Sequence, residues 1–473
     1  MTDMRLAVGR PQTAPDQWRP SAHFSARDTW LNDPNGLVHH DGTYHLFFQN
    51  NPHGNVWGNI SWGHATSTDL VTWTEHAVAI ESTEDEMVFS GSAVVDHRNT
   101  AGFARPGETA LVAVYTSATT QRDGSMRQAQ SLAFSVDDGA TWARYSGNPV
   151  LDIGSSEFRD PKVFWYGGEA GHWVMVVVEA TDHRVAVYTS ADLKTWLKAS
   201  SFGPAHATGG VWECPDLFPL RVDATGDTRW VLIVSLNPGS IAGGSGTQYF
   251  VGDFDGRRFT AERLSASEDL ADYDWLDYGR DYYAAVSFSN APDGRRLMVG
   301  WASNWEYAAD TPTYPWRSSM SLVRELGLVR SGRDGHRLKQ RPVLPPDARR
   351  HRTGDGPAAL PGVLVFTASA PRTGPGSSTF VLDGGADTGE ELRITVDAAA
   401  GQVLCDRTRA GDTSFHPRYA SVDRAPLPDV DGDVQLEIVV DASVVEVYVD
   451  GGLVTFTELV FPSTPYDRLS KVV

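Results

Sequence analysis

Three stretches of this chain repeat one design: SWGHATSTDLVTW ending at Trp73, SLAFSVDDGATW ending at Trp142, and VAVYTSADLKTW ending at Trp196. Each is a short β-prone run followed by Ser-x-Asp and then Thr-Trp. The pattern predicts a strand, an Asp that bonds the amides of a turn, and a Trp that packs between neighbouring units. The copies recur at roughly 50 to 70 residues, about what a four-stranded sheet with variable loops consumes. Such sheets around a common axis make a β-propeller. The competing arrangement is a set of independent hairpins in a sandwich.

Composition supports strands over helices. Glycine occurs 45 times, proline 27 and tryptophan 15, and no long run of apolar residues follows a 3.6-residue period. Short runs such as GTYHLFFQ, TALVAVYTS, HWVMVVVEA, TRWVLIVSL and RRLMVGWAS are instead cut by turn residues. The chain is read as all-β. Its 473 residues exceed what one core usually supports, which points to two domains. Strand patterns give way to Pro, Gly and charge across Arg341–Gly362. The expected division is therefore a propeller over 20–345, a linker over 346–362 and a β-sandwich over 363–473. In the last part ELRITVDA, VQLEIVVDASVVEVYVDGG and LVTFTELVF alternate as half-buried strands do. The sequence stops at Ser-Lys-Val-Val, where another strand or two is expected to complete the sheets.

Charge narrows the partners. Sixty acidic against 40 basic residues give a formal charge of -20, which repels phosphate backbones and anionic lipid. Nucleic acid and membranes are excluded as partners, and a small neutral substrate is expected. The pattern assigns no oligomeric state. Cys214 and Cys405 cannot form a disulfide framework. MTDMRLAVGRPQTAPDQWRP lacks an apolar run of signal-peptide length, and no segment approaches the roughly 20 apolar residues of a membrane span. The chain as written reads as cytoplasmic, or as secreted if its start was trimmed. No metal or other cofactor is expected, because the histidines, His39-His40 included, lack ligand spacing.

Three acids sit in tight aromatic, proline-bearing contexts: Asp33 in WLNDPNG, Asp160 in EFRDPKVFW and Glu213 in GGVWECPDLF. Singly, each allows a plain reading as turn chemistry, a surface acid or an ion pair such as Arg159 with Asp160. Together they gain meaning from the propeller, which gathers the starts of its innermost strands at one axial funnel. Two carboxylates in a sugar-sized pocket are what glycosidic cleavage needs, one ionised to attack and one protonated to serve the leaving oxygen. Asn32 beside Asp33 is expected to keep that acid ionised. Trp212, Cys214 and Pro215 beside Glu213 are expected to raise its proton affinity.

WLNDPNG, FRDP and WECPDLF, in this order, resemble the signature blocks of glycoside hydrolase family 32, the β-fructofuranosidases, invertases, exo-inulinases and levanases. FSGS at Phe89–Ser92, GNISWGHATSTDLVTW and VGWASNWEY at Val299–Tyr307 are similar to further family segments, and DRTRAGDTSFHP and DASVVEVYVDGG to its sandwich module. The likeness runs from about His23 to Pro462. It implies a five-bladed propeller with a C-terminal β-sandwich, and a retaining, exo-acting attack on terminal β-fructofuranosyl units. Carried over by position, Asp33 is the nucleophile, Glu213 the general acid/base and Asp160 the residue that holds fructose hydroxyls, with Arg159 orienting the site. Asn32, Gln49, Trp57, Phe89, Ser90 and Trp301 match positions that line the fructose pocket. Fructosyl transfer, a non-catalytic fructan-binding propeller, and a sialidase suggested by SVDDGATW are the rival readings. The sialidase suffers from an acidic pocket that repels an anionic sugar.

Overall fold

The structure, a computed structural model, describes residues 17–331, 335–385 and 388–472. Five antiparallel sheets follow one another along the chain, each built in sequence order from the inside outward. Their innermost strands are Trp30–His40, Glu86–Asp96, Phe158–Tyr166, Val211–Arg221 and Tyr283–Ser287, which open blades 1 to 5. Blades 1 to 4 hold four strands each. Blade 5 adds the short Ser319–Met320 beside Leu297–Ala302. Each innermost strand packs on the next, and that of blade 5 packs on that of blade 1, so the ring closes as a five-bladed propeller.

Alternation along the strands explains the ring. One face of each sheet meets the facing side of its neighbour across an apolar layer, and the layer between blades 3 and 4 is continuous with the core of the C-terminal region. Val38, Phe47 and Trp62 meet Val88, Ala93 and Tyr115 between blades 1 and 2. Val94, Val112 and Leu132 meet Val163, Met175 and Val177 between blades 2 and 3. The closing gap holds Leu46 and Phe48 of blade 1 against Val286, Leu297 and Val299 of blade 5. Burial at about 25 cal/mol per Å² over layers of this size is the main force holding blades together.

The repeated motif turns out to be the link between third and fourth strands. Asp69 Oδ1 accepts from the amides of Val71 at 2.9 Å and Thr72 at 2.7 Å, and Asp192 Oδ1 from those of Lys194 at 2.9 Å and Thr195 at 2.7 Å. Trp142 meets Phe47 of blade 1 edge-on at 5.3 Å, and Trp196 is buried in the layer between blades 2 and 3. Blade 4 carries a fourth, degenerate copy: Asp255 accepts from the amides of Arg257 and Arg258 at 2.8 and 2.7 Å, and Phe259 stands where the other copies have Trp.

The C-terminal region forms two five-stranded sheets. One runs Arg349–Arg352, Leu364–Ala370, Val434–Asp441, Val444–Val449, Val454–Leu459; the other runs Val422–Pro426, Gln402–Arg409, Glu391–Asp397, Ser377–Asp383, Arg468–Val472. Arg349–Arg352 lies within the stretch expected to be linker and pairs in parallel with Leu364–Ala370. Arg468–Val472 pairs with Ser377–Asp383 as an outer strand of the second sheet. The sandwich docks on blade 5, where the amides of Tyr278 and Asp281 donate to the carbonyls of Thr455 and Thr457 at 2.9 and 3.0 Å. Gly279 permits that approach, because a Cβ there would stand 2.4 Å from the Thr457 backbone.

Candidate active site

All five innermost strands run the same way along the axis, since each blade returns the chain to the centre before the next begins. Their starting ends therefore share one mouth. Every one of them is interrupted there by a β-bulge. Asn32 and Asp33 stand opposite Gln49, Asp160 and Pro161 opposite Val177, Cys214 and Pro215 opposite Val234, and Ala284 and Ala285 opposite Gly300, while Ser90 is the extra residue in blade 2. A bulge leaves residues out of the ladder and re-aims their side chains. Proline is suited to such positions because no ladder donor is lost. Asp160 and Cys214 take φ of 64° and 47°, a conformation L-residues avoid and tertiary packing must hold. In FSGS, Gly91 is needed because a Cβ would meet the Val114 carbonyl at 2.1 Å.

The bulges bring the three acids together. Cys214 Sγ lies 3.5 Å from Asp33 Oδ2 and 3.7 Å from Asp160 Oδ2, and the Cys214 amide donates to Asp160 Oδ2 at 2.9 Å. Asp33 is cradled by Ser90 Oγ at 2.6 Å and Asn32 Nδ2 at 3.0 Å, and Asn32 is fixed in turn by Trp30 Nε1 at 2.7 Å. Glu213 accepts from Arg159 Nε at 3.1 Å and from the Tyr283 hydroxyl. Asp33 and Asp160 are buried, whereas Glu213 is half-buried and lies nearer the mouth.

Electrostatics follow from this crowding. Burial pushes the Asp33 carboxyl above its usual range; the Ser90 and Asn32 hydrogen bonds oppose the shift and the charge of Glu213 adds to it. Burial likewise raises Asp160, to about 7. The Arg159 charge works against that rise, and the charges of Glu213 and Asp33 work with it. Burial and the three acids keep the Cys214 thiol protonated. Three carboxylates against one guanidinium leave the pocket short of positive charge.

Two expectations need correction. Glu213 was to draw its environment from its sequence neighbours, but strand alternation turns Trp212 into the core, where its Nε1 donates to Ala207 O at 2.9 Å. The groups on Glu213 are polar, Arg159 and Tyr283. Trp301 was to line the pocket, yet it exposes no surface. Trp305 at 4.9 Å, Trp30 at 6.1 Å and Tyr283 at 6.4 Å pack around its ring, so it supports the wall from behind. Trp57 stands 45% exposed, its ring set edge-on to that of Phe89 with centroids 6.2 Å apart. Gln49 is buried and spends its amide on Val88 O at 3.0 Å, and Arg159 is buried beside the acids.

Sequence reasoning missed Cys214 as the group joining two acids, and it missed Tyr283. The same logic that found Asp33 could have found the latter, since RDYYAAVSF is also the start of an innermost strand. Another cavity, of about 590 Å³, opens at the opposite end of the axis. Lys162 and Asp216, 3.2 Å apart, lie there among Trp165, Trp230 and Arg296, and none of the three acids lines it.

A propeller whose axial mouth joins a cradled carboxylate, a rim acid and a third acid for hydroxyls defines a glycoside hydrolase. Comparison with known proteins gives the family. Residues 23–342 match the glycosyl hydrolases family 32 N-terminal domain and residues 352–472 its C-terminal domain, and the chain belongs to glycosyl hydrolases family 32. It is 43% identical to an extracellular exo-inulinase of Aspergillus ficuum, over 94% of this chain and 90% of that one. It is 43% identical to a levanase of Bacillus subtilis, over 96% of this chain and 68% of that one. The crystal structure of exo-inulinase from Aspergillus awamori superposes with a TM-score of 0.84 at 40% identity, covering 96% of this chain and 95% of that one.

Proposed function

We propose that the protein is an exo-acting, retaining β-fructosidase that releases terminal non-reducing β-D-fructofuranosyl units from fructans, fructooligosaccharides and sucrose. The observation that carries this reading is the order of the acids by depth. Asp33 and Asp160 lie at the bottom and Glu213 nearer the mouth. A terminal fructose entering first presents its hydroxyls to Asp160 and its anomeric carbon to Asp33, while the bond to the rest of the substrate stays beside Glu213.

In the first step the Asp33 carboxylate attacks the anomeric carbon. The bond to the leaving oxygen breaks as Glu213 gives that oxygen its proton. Ser90 and Asn32 hold Asp33 in the attacking orientation. In the second step Glu213, now ionised, takes a proton from water. The water oxygen attacks the same carbon, Asp33 leaves, and fructose departs with its configuration retained. Asp160 with Arg159 binds hydroxyls and stabilises the positive charge that develops on the ring. Trp57 and Phe89 offer apolar faces to the sugar, and Gln49 holds the wall in place.

Incubation with sucrose, inulin and levan in parallel tests the reading, with free fructose as the expected first product from each. Absence of fructose from all three at every pH would leave a sugar-binding propeller instead. Glu213→Gln should lose about 10²- to 10⁴-fold on sucrose yet keep most of its rate on a fructoside with an activated leaving group, which needs little protonation. Equal losses on both would remove the acid role.

A further inference from the structure

The cavity at the far end of the axis, about 590 Å³, is bordered by blades 2 to 5. That size falls within the roughly 300 to 1,000 Å³ of small-molecule sites. Its wall is aromatic. Phe164, Trp165 and Tyr166 end the innermost strand of blade 3, and Trp230 stands opposite Pro219 in blade 4. Trp230 packs against Phe164 at 5.6 Å and Tyr166 at 5.8 Å, and the Arg98 guanidinium covers Trp165 at 4.8 Å, yet all four rings stay half-buried. Its charged groups are Lys162 and Asp216, paired at 3.2 Å, and Arg296, whose guanidinium lies over the Phe218 ring at 4.9 Å. Asp216 Oδ2 is engaged further by the Ser287 amide at 2.6 Å. Asp216 Oδ1, in a side chain that exposes no surface, has no hydrogen-bond partner among the described residues, and neither has Arg296 Nε. Arg296 Nη1 makes only long bonds, to Ser287 Oγ at 3.3 Å and Phe288 O at 3.4 Å.

We propose that this cavity is a second, non-catalytic carbohydrate site, which holds a fructosyl unit of a fructan away from the mouth. That it takes a sugar rests on the far end alone; that the sugar is fructosyl rests on the function proposed above. An acceptor and a donor left unmet beside a cavity call for a ligand that can both donate and accept, as a hydroxyl does. Water has the same ability, but water gains nothing from indole and phenol faces, which pack on the C–H surface of a sugar ring. An anion would meet Lys162 and Arg296 but also the Asp216 carboxylate, in a chain of formal charge -20. The mouth is made of the same materials, carboxylate, guanidinium and aromatic face, with one difference. Cleavage needs two carboxyl groups, and Asp216 is the one acid on the lining here, already tied to Lys162. The far end therefore binds without cutting.

The test uses Asp33→Asn, which should hold fructans without turning them over, titrated calorimetrically with an inulin trisaccharide. Two molecules per chain are expected. Adding Trp165→Ala or Arg296→Met should leave one, while either change made alone in the parent should keep sucrose turnover within about twofold, because the far end is remote from the reacting groups. One molecule per chain in Asp33→Asn, or two retained in both double variants, overturns the site. A crystal of Asp33→Asn soaked with the trisaccharide needs no change at the far end, so a variant that fails to fold does not hide the answer. Sugar against Trp165 and Trp230 is expected there, and a far end without sugar overturns the site. Inorganic phosphate should not displace the far-end trisaccharide; displacement would make the cavity an anion site instead. Sucrose turnover by the parent separates the two readings. If fructose is released and the far end takes no sugar, only the present inference falls; if no fructose is released and the far end still takes sugar, the site stands and the fructosidase falls.

Discussion

Two of the places where this molecule buries charged side chains are built on opposite plans. At the junction of propeller and sandwich, positive and negative groups alternate. His23 stands between Asp441 at 2.8 Å and Glu446 at 3.3 Å, Arg324 between Asp277 at 2.9 Å and Glu446 at 3.2 Å, and Arg407 against Asp281 and Glu458. Burial works against ionisation there, but the Arg324 charge and the His23 hydrogen bond bring Glu446 down to about 2. On the propeller axis the same burial acts on three acids with one arginine, and Asp160 rises to about 7. Around His23 and Arg324 the charges stabilise the fold by being matched, while beside Arg407 burial and the neighbouring Asp423 push the Glu458 carboxyl well up; on the axis the charges are left unmatched where substrate must be bound and cleaved. The difference lies in partner count, not in residue type or depth.

The largest effect expected from breaking this contrast is on turnover. Asp33→Asn keeps the size of the side chain and removes the attacking charge, so kcat should fall at least about 10⁴-fold while the thermal melt stays in place. Activity within tenfold of the parent would remove Asp33 from the reaction. On the matched side, Glu446→Gln leaves Arg324 and His23 short of their shared anion. Loss of one partner of a buried pair costs about 3 to 5 kcal/mol, read as a lower denaturation midpoint. Fructose release at room temperature should change little, because the junction does not touch substrate.

Asp160→Asn reverses the direction. A carboxyl at about 7 in the folded state and near 3.8 unfolded contributes stability that is complete below 3.8 and is lost as pH rises through 7. Above neutrality the parent therefore carries the cost of a buried, partly compensated charge. The amide does not carry it and still offers an oxygen to the Cys214 N–H. The variant should be inactive yet about 1 to 3 kcal/mol more stable at pH 8, with the gain vanishing near pH 4. A variant that melts lower at pH 8 would show Asp160 to be held by more than the groups around it here.

The contrast also explains what could be read from residues alone. The Ser-x-Asp and Thr-Trp repeat is local, with turn amides two or three residues from the Asp, so three blades were legible, while the copy at Asp255 and Phe259 was hidden by loss of Ser, Thr and Trp. Asp33, Asp160 and Glu213 were legible because each sits at or next to a bulge with a proline one or two residues on, and a bulge leaves its mark in a few adjacent residues. Surroundings set across blades were not. Strand alternation sent Trp212 and Trp301 into the core, and Cys214 reached two acids from blades 1 and 3 that nothing near it in the chain announces. The junction was invisible for the same reason: His23 and Glu446 lie more than 400 residues apart in sequence, and each looks like any other charged residue.

The smallest effect expected is a pH dependence of the junction itself. Burial alone would lower the proton affinity of His23, but its bonds to Asp441 and Glu446 outweigh that and raise it to about 9. Unfolded, the ring titrates near 6.5. The stability it supplies is therefore complete below 6.5 and is lost as pH climbs through 9. Above that the neutral ring can still donate to one carboxylate but not to both, and Glu446 keeps Arg324 as its cation. The loss is thus partial, about 1 to 2 kcal/mol, or a few degrees in Tm. Melting curves from pH 6 to 10 should show that decline in the parent and a flatter, lower curve in His23→Gln. If both decline in parallel, the alkaline sensitivity belongs to other groups, and the matched plan of the junction rests on Arg324 and Arg407 without help from the histidine.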